Sequence, residues 1–162
     1  MEKDKINSTS SKNVKAVPDG FHTVTPFIIV NHADMLIEFI KAAFDGEVTS
    51  LMKGEDEKIM HATVRIGDST IMLSDSSEQY GPMPCMLYLY VEDADQAFTR
   101  AVSAGAKADM PVADMFWGDR CGQLTDPFGH KWNLATHKEN LTPEEMRKRS
   151  GEFFAQMAMQ AR

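Results

Sequence analysis

Two cysteines in 162 residues, Cys85 and Cys121, are too few for a disulfide framework, and two reduced thiols in a cytoplasmic protein are expected. No apolar run approaches the ~18 residues that a bilayer demands, so no membrane partner is expected. The opening stretch MEKDKINSTSSKNVKA lacks the apolar centre of an export signal. Positive charge is also scarce. The net charge is -7 and Lys and Arg form no stripe, which argues against nucleic acid as a partner. There is no Gly-rich phosphate loop, no HxH or HExxH spacing, and no Ser/His/Asp arrangement legible from spacing. What remains is 43% hydrophobic and 25% charged, the balance of an ordinary globular domain.

What is present is one pattern written twice. The run from Thr25 lies over the run from Met86 at an offset of 61, which sets Val30 on Val91, Ala33 on Ala94, Asp34 on Asp95 and Ala43 on Ala104. Carried on without a gap, the same offset sets His61 on Gly122, Met72 on Asn133 and Leu73 on Leu134. Each half reads strand, helix, then three strands. Strands are predicted at Thr25–Val30, 47–53, 58–66 and 69–75, and again at 85–91, 107–112, 121–125 and 131–136. A helix starting at Asp34 has apolar Leu36, Ile37, Phe39, Ile40, Ala43 and Phe44 at i, i+3, i+4 spacing and ends at Asp45-Gly46. A second helix covers 94–104. Asp126-Pro127-Phe128-Gly129 marks a turn.

These elements predict an α+β fold of two βαβββ modules. Residues 1–17 form a polar arm expected to be disordered, 18–78 the first module, 79–140 the second, and 141–162 a C-terminal helix. That helix opens on Thr142-Pro143-Glu144-Glu145, and its apolar Met146, Phe153, Phe154, Met157 and Ala158 suit docking on its own domain or on a partner copy. A single βαβββ unit has a helix on only one sheet face. Pairing the two units edge to edge would make a curved sheet with a concave face left for a ligand. A plain sandwich with no site satisfies the same pattern.

The run from Asp114, DMFWGDRCGQLTDPFGHKWNLATH, and LTPEEM after it resemble the PhnB-like branch of the glyoxalase, bleomycin-resistance and dioxygenase (vicinal oxygen chelate) superfamily. FHTVTPFIIV, HATVRIGDSTIMLSD and LYLYVEDAD carry the same resemblance, which covers residues 18–150. It implies paired βαβββ modules, a homodimer and a small-molecule site in each cup. Chemistry stays open, since such folds serve enzymes and pure binding proteins alike.

Metal-dependent relatives place His or Glu ligands on the first and last strands of each module. Here the register sets Thr25, Met72, Met86 and Asn133 at those positions, and a shift of one residue brings in no better donors. Thioethers and neutral amides do not suit a hard divalent ion, so neither metal nor cofactor is expected.

With the ligand positions of those relatives taken as inward, strand alternation sends Thr25, Phe27, Met72, Met86, Tyr88 and Asn133 into the cup. His61, with Thr63 and Arg65, faces the cup or solvent. An aromatic, Met-rich cup suits a planar or mostly apolar small molecule, with His61, Tyr88, Asn133 and Arg120 orienting it. The alternatives are that these side chains fill a dry core and that His61 is a satisfied strand histidine. Trp117 and Arg120 belong either to an edge closing over the cup or to local structure, with Asp119 and Arg120 in local structural pairs and Trp117 covering the core. The cysteines show no partner base. The expected function is metal-independent binding of a small molecule. A lyase, isomerase or dioxygenase-related enzyme is the alternative, with His61 or Tyr88 as proton carrier.

Overall fold

The computed structural model describes residues 14–161, so the first thirteen residues of the expected arm lie outside the described part. The first module consists of β1 (Phe27–Val30), α1 (Ala33–Phe44), β2 (Glu47–Lys53), β3 (Ile59–Ile66) and β4 (Ser69–Asp75). The second repeats it as β5 (Met86–Tyr90), α2 (Ala94–Ser103), β6 (Lys107–Asp114), β7 (Asp119–Thr125) and β8 (Lys131–His137), and α3 (Pro143–Gln160) ends the chain. The α+β fold of two βαβββ units is as the sequence predicts. Among the described residues no helix is long and apolar enough to cross a membrane.

Each unit is a four-stranded sheet of the same order, β1-β4-β3-β2 and β5-β8-β7-β6. The pairing reproduces the repeat: Phe27 sits opposite Met72, and Tyr88 opposite Asn133, both shifted by the same 61 residues. Helix starts repeat too. The Ala33 N–H is held by Asp75 Oδ1 at 3.0 Å and the Ala94 N–H by Thr136 Oγ1 at 2.9 Å, so in both units the end of the last strand satisfies an orphan donor of the helix.

The gapless alignment fails in one place. Thr63 faces Met72 while Gln123 faces Asn133, so the third strands are related by 60 residues. Only Gly67-Asp68 separates the paired Ile66 and Ser69, whereas the second hairpin's turn is built around Asp126. That carboxylate takes the Phe128 and His130 N–H groups at 2.8 and 3.0 Å and the Trp132 indole N–H at 2.9 Å. The extra residue in this turn absorbs the difference.

The two sheets do not join edge to edge within the chain; each is a separate four-stranded sheet. The modules meet through their helices instead. Ile28, Val30, Ile71 and Leu73 from one sheet and Leu124, Trp132 and Leu134 from the other share one core with α1 and with Ala97 and Ala101 of α2. The alanine face of α2 lets α1 approach closely, and Phe44 packs on Trp132 at 4.7 Å. Gly122 makes room as well, since a Cβ there would sit 2.8 Å from Val112 and 2.9 Å from Phe98. The layers run sheet, helices, sheet, and the opposite sheet faces point outward on two sides of the chain.

α3 starts with a capping box between Thr142 and Glu145 and buries none of its residues. It touches the body through Phe153, 5.1 Å from Phe116, and an Arg149–Glu139 ion pair at 2.6 Å.

Trp132 is fully buried and belongs to the shared core. Trp132→Ala is expected to cost ~3–5 kcal/mol in urea unfolding while leaving a single transition. Two separated transitions in the wild-type protein would show that the modules do not share a core.

Candidate functional site

The outward face of the second sheet is where polar chemistry gathers. Tyr88, Asn133 and Gln123 form one row across β5, β8 and β7, Tyr90, Ala135 and Cys121 the next, and His137 and Asp119 a third. Ala135 is a methyl group in the middle strand, which leaves space for the tyrosine rings to lie across β8.

They converge on Asp119. Its Oδ2 accepts from the Tyr88 hydroxyl at 2.9 Å, the Tyr90 hydroxyl at 3.1 Å and Trp117 Nε1 at 3.1 Å, and its Oδ1 lies 2.8 Å from His137 Nδ1. Asp119 is only 3% exposed. Burial pushes its carboxyl upward, but the bonds from His137, Tyr88, Tyr90 and Trp117 outweigh that and hold it below the usual carboxylate range. The Tyr88 phenol is driven well above its ordinary range, first by burial and then by contact with Cys121 and Asp119, against a smaller opposite effect of Trp117. His137 is raised by Asn140 and by Asp119. Its Nε2 lies 3.0 Å from Asn140 Oδ1, and acceptors on both ring nitrogens suit the imidazolium.

Gly118 shapes this corner. Its φ of 96° belongs to glycine, and a Cβ would stand 2.5 Å from the Glu139 carbonyl. Lys138 and Glu139 N–H groups bond the Gly118 carbonyl, which ties the 115–118 turn to the end of β8.

The first sheet's outward face is different. Phe27 and Ile29 stand where the second has Tyr88 and Tyr90, and Met72 and Thr63 where it has Asn133 and Gln123. His61 stacks on Phe27 at 5.9 Å. Thr25 lies before β1, its hydroxyl donating to the His22 carbonyl at 3.0 Å.

The residues expected in one cup therefore fall into two groups on two sheets: Phe27, His61 and Met72 on the first, Met86, Tyr88, Asn133 and, through Asp119, Trp117 on the second. Arg120 joins neither. It grips Asp95 of α2 through two bonds of 2.6 and 2.7 Å and Asp114 at 3.1 Å, on the helix side of the sheet. Asp119 and Arg120 point to opposite faces, as consecutive strand residues do, and each is held in pairs of its own, Asp119 with His137 and Arg120 with Asp95 and Asp114. Cys85 does have a base beside it, His130 Nδ1 at 3.5 Å, although the sequence suggests none. Burial and the Asp126 charge nevertheless raise that thiol, which disfavours the thiolate. Asp119, Gln123 and His137 are the residues whose role here sequence reasoning missed. Strand alternation with a one-residue turn insertion would have placed Gln123 beside Asn133.

The donor set does not fit the metal of metal-dependent relatives. Met72, Met86, Thr25 and Asn133 supply two thioethers, a hydroxyl and an amide, and among the described residues no three His, Cys, Asp or Glu are grouped to hold an ion. A groove of about 680 Å³ lies elsewhere, between α1, β2 and the turn at Pro127 and Phe128.

A family model, the glyoxalase/bleomycin resistance protein/dioxygenase superfamily, matches residues 20–134. The chain belongs to this superfamily. An uncharacterised protein of Mycobacterium tuberculosis (strain H37Rv) is 34% identical over 134 residues, covering 76% of this chain and 79% of that protein. Protein YjdN of Escherichia coli K12 is 30% identical over 111 residues, covering 65% and 76%. Among solved structures, TioX from Micromonospora sp. ML1 superposes with a TM-score of 0.59 at 23% identity, over 70% of this chain and 98% of that one. A PhnB protein from Bacillus cereus gives 0.59 at 22%, over 71% and 99%. These superpositions show the shared fold.

Asp119 and His137 titrate in opposite directions, which sets a pH window for their contact. The depressed carboxyl contributes stability above the ordinary value of ~4, lost as pH falls through its folded pKa. The raised imidazole contributes stability that is complete below ~6.5 and lost as pH rises through its folded pKa. The advantage of wild type over His137→Gln in thermal melts is therefore expected to be largest between about pH 4 and 6.5 and to shrink toward pH 9. A gap constant across that range would remove the charge coupling.

Proposed function

We propose that this chain is a PhnB-like binding protein. Two copies would form a homodimer, and each cup would be lined by the first sheet of one copy and the second sheet of the other. The observation that carries this reading is the exposure of both outward faces. Phe27 is 50% exposed, Met86 58% and Tyr90 66%, on strands whose opposite sides pack against the core. Aromatic and thioether groups left open on both outward faces fit burial against a ligand and a partner copy. The cup would have one apolar wall, Phe27, Met72 and stacked His61, and one aromatic, hydrogen-bonding wall, Tyr88, Tyr90 and Asn133. A small planar, mostly apolar molecule suits that pair of walls. The chemistry of the donor set favours binding without a metal. Two free thiols fit a reducing, cytoplasmic setting.

Sedimentation should then give twice the 18.1 kDa chain mass. Acridine, titrated into chelator-treated protein and read by Trp117 quenching, should saturate at one per chain. Tyr88→Ala should weaken it about tenfold, the loss of one stacking partner. A monomer, absent saturation, or binding that returns only with added divalent metal would overturn the proposal.

The second reading is an acid–base enzyme of the superfamily. His61 on the cup wall is what favours it, because a basic side chain there would touch a bound molecule. Tyr88 is a poor candidate for the same role, since its only hydroxyl hydrogen is committed to Asp119. On this reading His61→Ala abolishes turnover of a bound substrate and leaves its affinity within a few fold.

A further inference from the structure

Beside Tyr88, the second sheet's outward face carries two primary amides in contact. Gln123 and Asn133 are cross-strand partners on β7 and β8, and Asn133 is also the partner of Tyr88, so the three make one row. Gln123 Nε2 donates to Asn133 Oδ1 at 3.1 Å. That bond leaves Gln123 Oε1 and Asn133 Nδ2 without a partner among the described residues. Exchanging oxygen and nitrogen in both amides leaves the same balance: one amide nitrogen and one amide oxygen stay wholly without a partner. Asn133 is only 8% exposed, so its amide has given up most of its water. The free atoms are not sealed, because the buried side-chain atoms lacking partners are Arg100 Nε and His130 Nε2. They open onto the face.

The surrounding groups restrict what can meet them. Tyr88 and Tyr90 point their hydroxyl hydrogens at Asp119 and present lone pairs only. The basic side chains on these strands are already held by carboxylates: Lys131 by Asp109 at 2.8 Å, His137 by Asp119 at 2.8 Å and, on the helix side, Arg120 by Asp95 and Asp114. Nothing in this row is left to neutralise an anion.

We propose that Gln123 and Asn133 form a recognition edge for an uncharged planar ligand with a cis-amide edge, such as a ring lactam. The ligand N–H is accepted by one side chain, the ligand carbonyl accepts from the other, and its ring lies on Tyr88. The proposal rests on the cup reading above and names the ligand class for that site. A site whose buried amides await partners discriminates strongly against analogues that cannot supply them.

The test uses the full-length protein and three probes: isoquinolin-1(2H)-one, its N-methyl derivative, and naphthalene followed by its own emission. Wild type should bind the lactam at least about tenfold more tightly than the N-methyl compound, which has lost the donor. Asn133→Leu should bring the two within about twofold. Gln123→Met, at a half-buried position, makes the same comparison if Asn133→Leu does not fold. Equal binding of the two isoquinolinones by wild type, or a preference that survives the substitution, overturns the recognition edge while naphthalene binding keeps the cup. Failure of all three probes to bind overturns the cup reading and this proposal with it.

Discussion

The packing of Phe44 on Trp132, inside a core shared by α1, α2 and both sheets, is what orients everything else in this chain. Helices that meet in the middle leave each sheet one face packed on the core and one face turned outward, and the outward faces look away from each other. Had the sheets met edge to edge, a single chain would have enclosed its own cup. The small side chains of α2, Ala94, Ala97 and Ala101, permit this close helix contact, and Gly122 lets Phe98 settle against the sheet.

Asp119 is the second organising element. A nearly sealed carboxylate is costly to bury unless donors surround it, and here two phenols, an indole and an imidazole do so. The consequence reaches beyond the carboxylate. Each phenol that donates to Asp119 becomes an acceptor toward anything lying on it, so one buried charge sets the hydrogen-bonding sense of the whole wall. Trp117, Gly118 and Asp119 are adjacent in the chain, and the turn that Gly118 permits brings the indole and the carboxylate together.

The duplication has produced two unlike walls on one scaffold. Positions 61 residues apart hold Phe27 and Tyr88, Ile29 and Tyr90, and Met72 and Asn133, with backbone pairing unchanged. One face carries apolar and thioether groups; the other carries hydroxyls and amides.

Alternation along the strands and the 61-residue offset were enough to read the fold class, the order of elements and which side of each strand is apolar, because these follow from local periodicity. Taken with the ligand positions of metal-dependent relatives, alternation also put Phe27, Met72, Tyr88 and Asn133 on the faces opposite the helices. The third strand's register was not legible, since one extra residue in the Asp126 turn is invisible to an alignment without gaps. Nor was the gathering of Tyr88, Tyr90, Trp117 and His137 around Asp119, which joins residues on three strands and a turn. The removal of Arg120 to the helix side depends on Asp95, 25 residues away. How two modules pack is decided by long-range contacts such as Phe44 with Trp132, and local pattern carries no record of them.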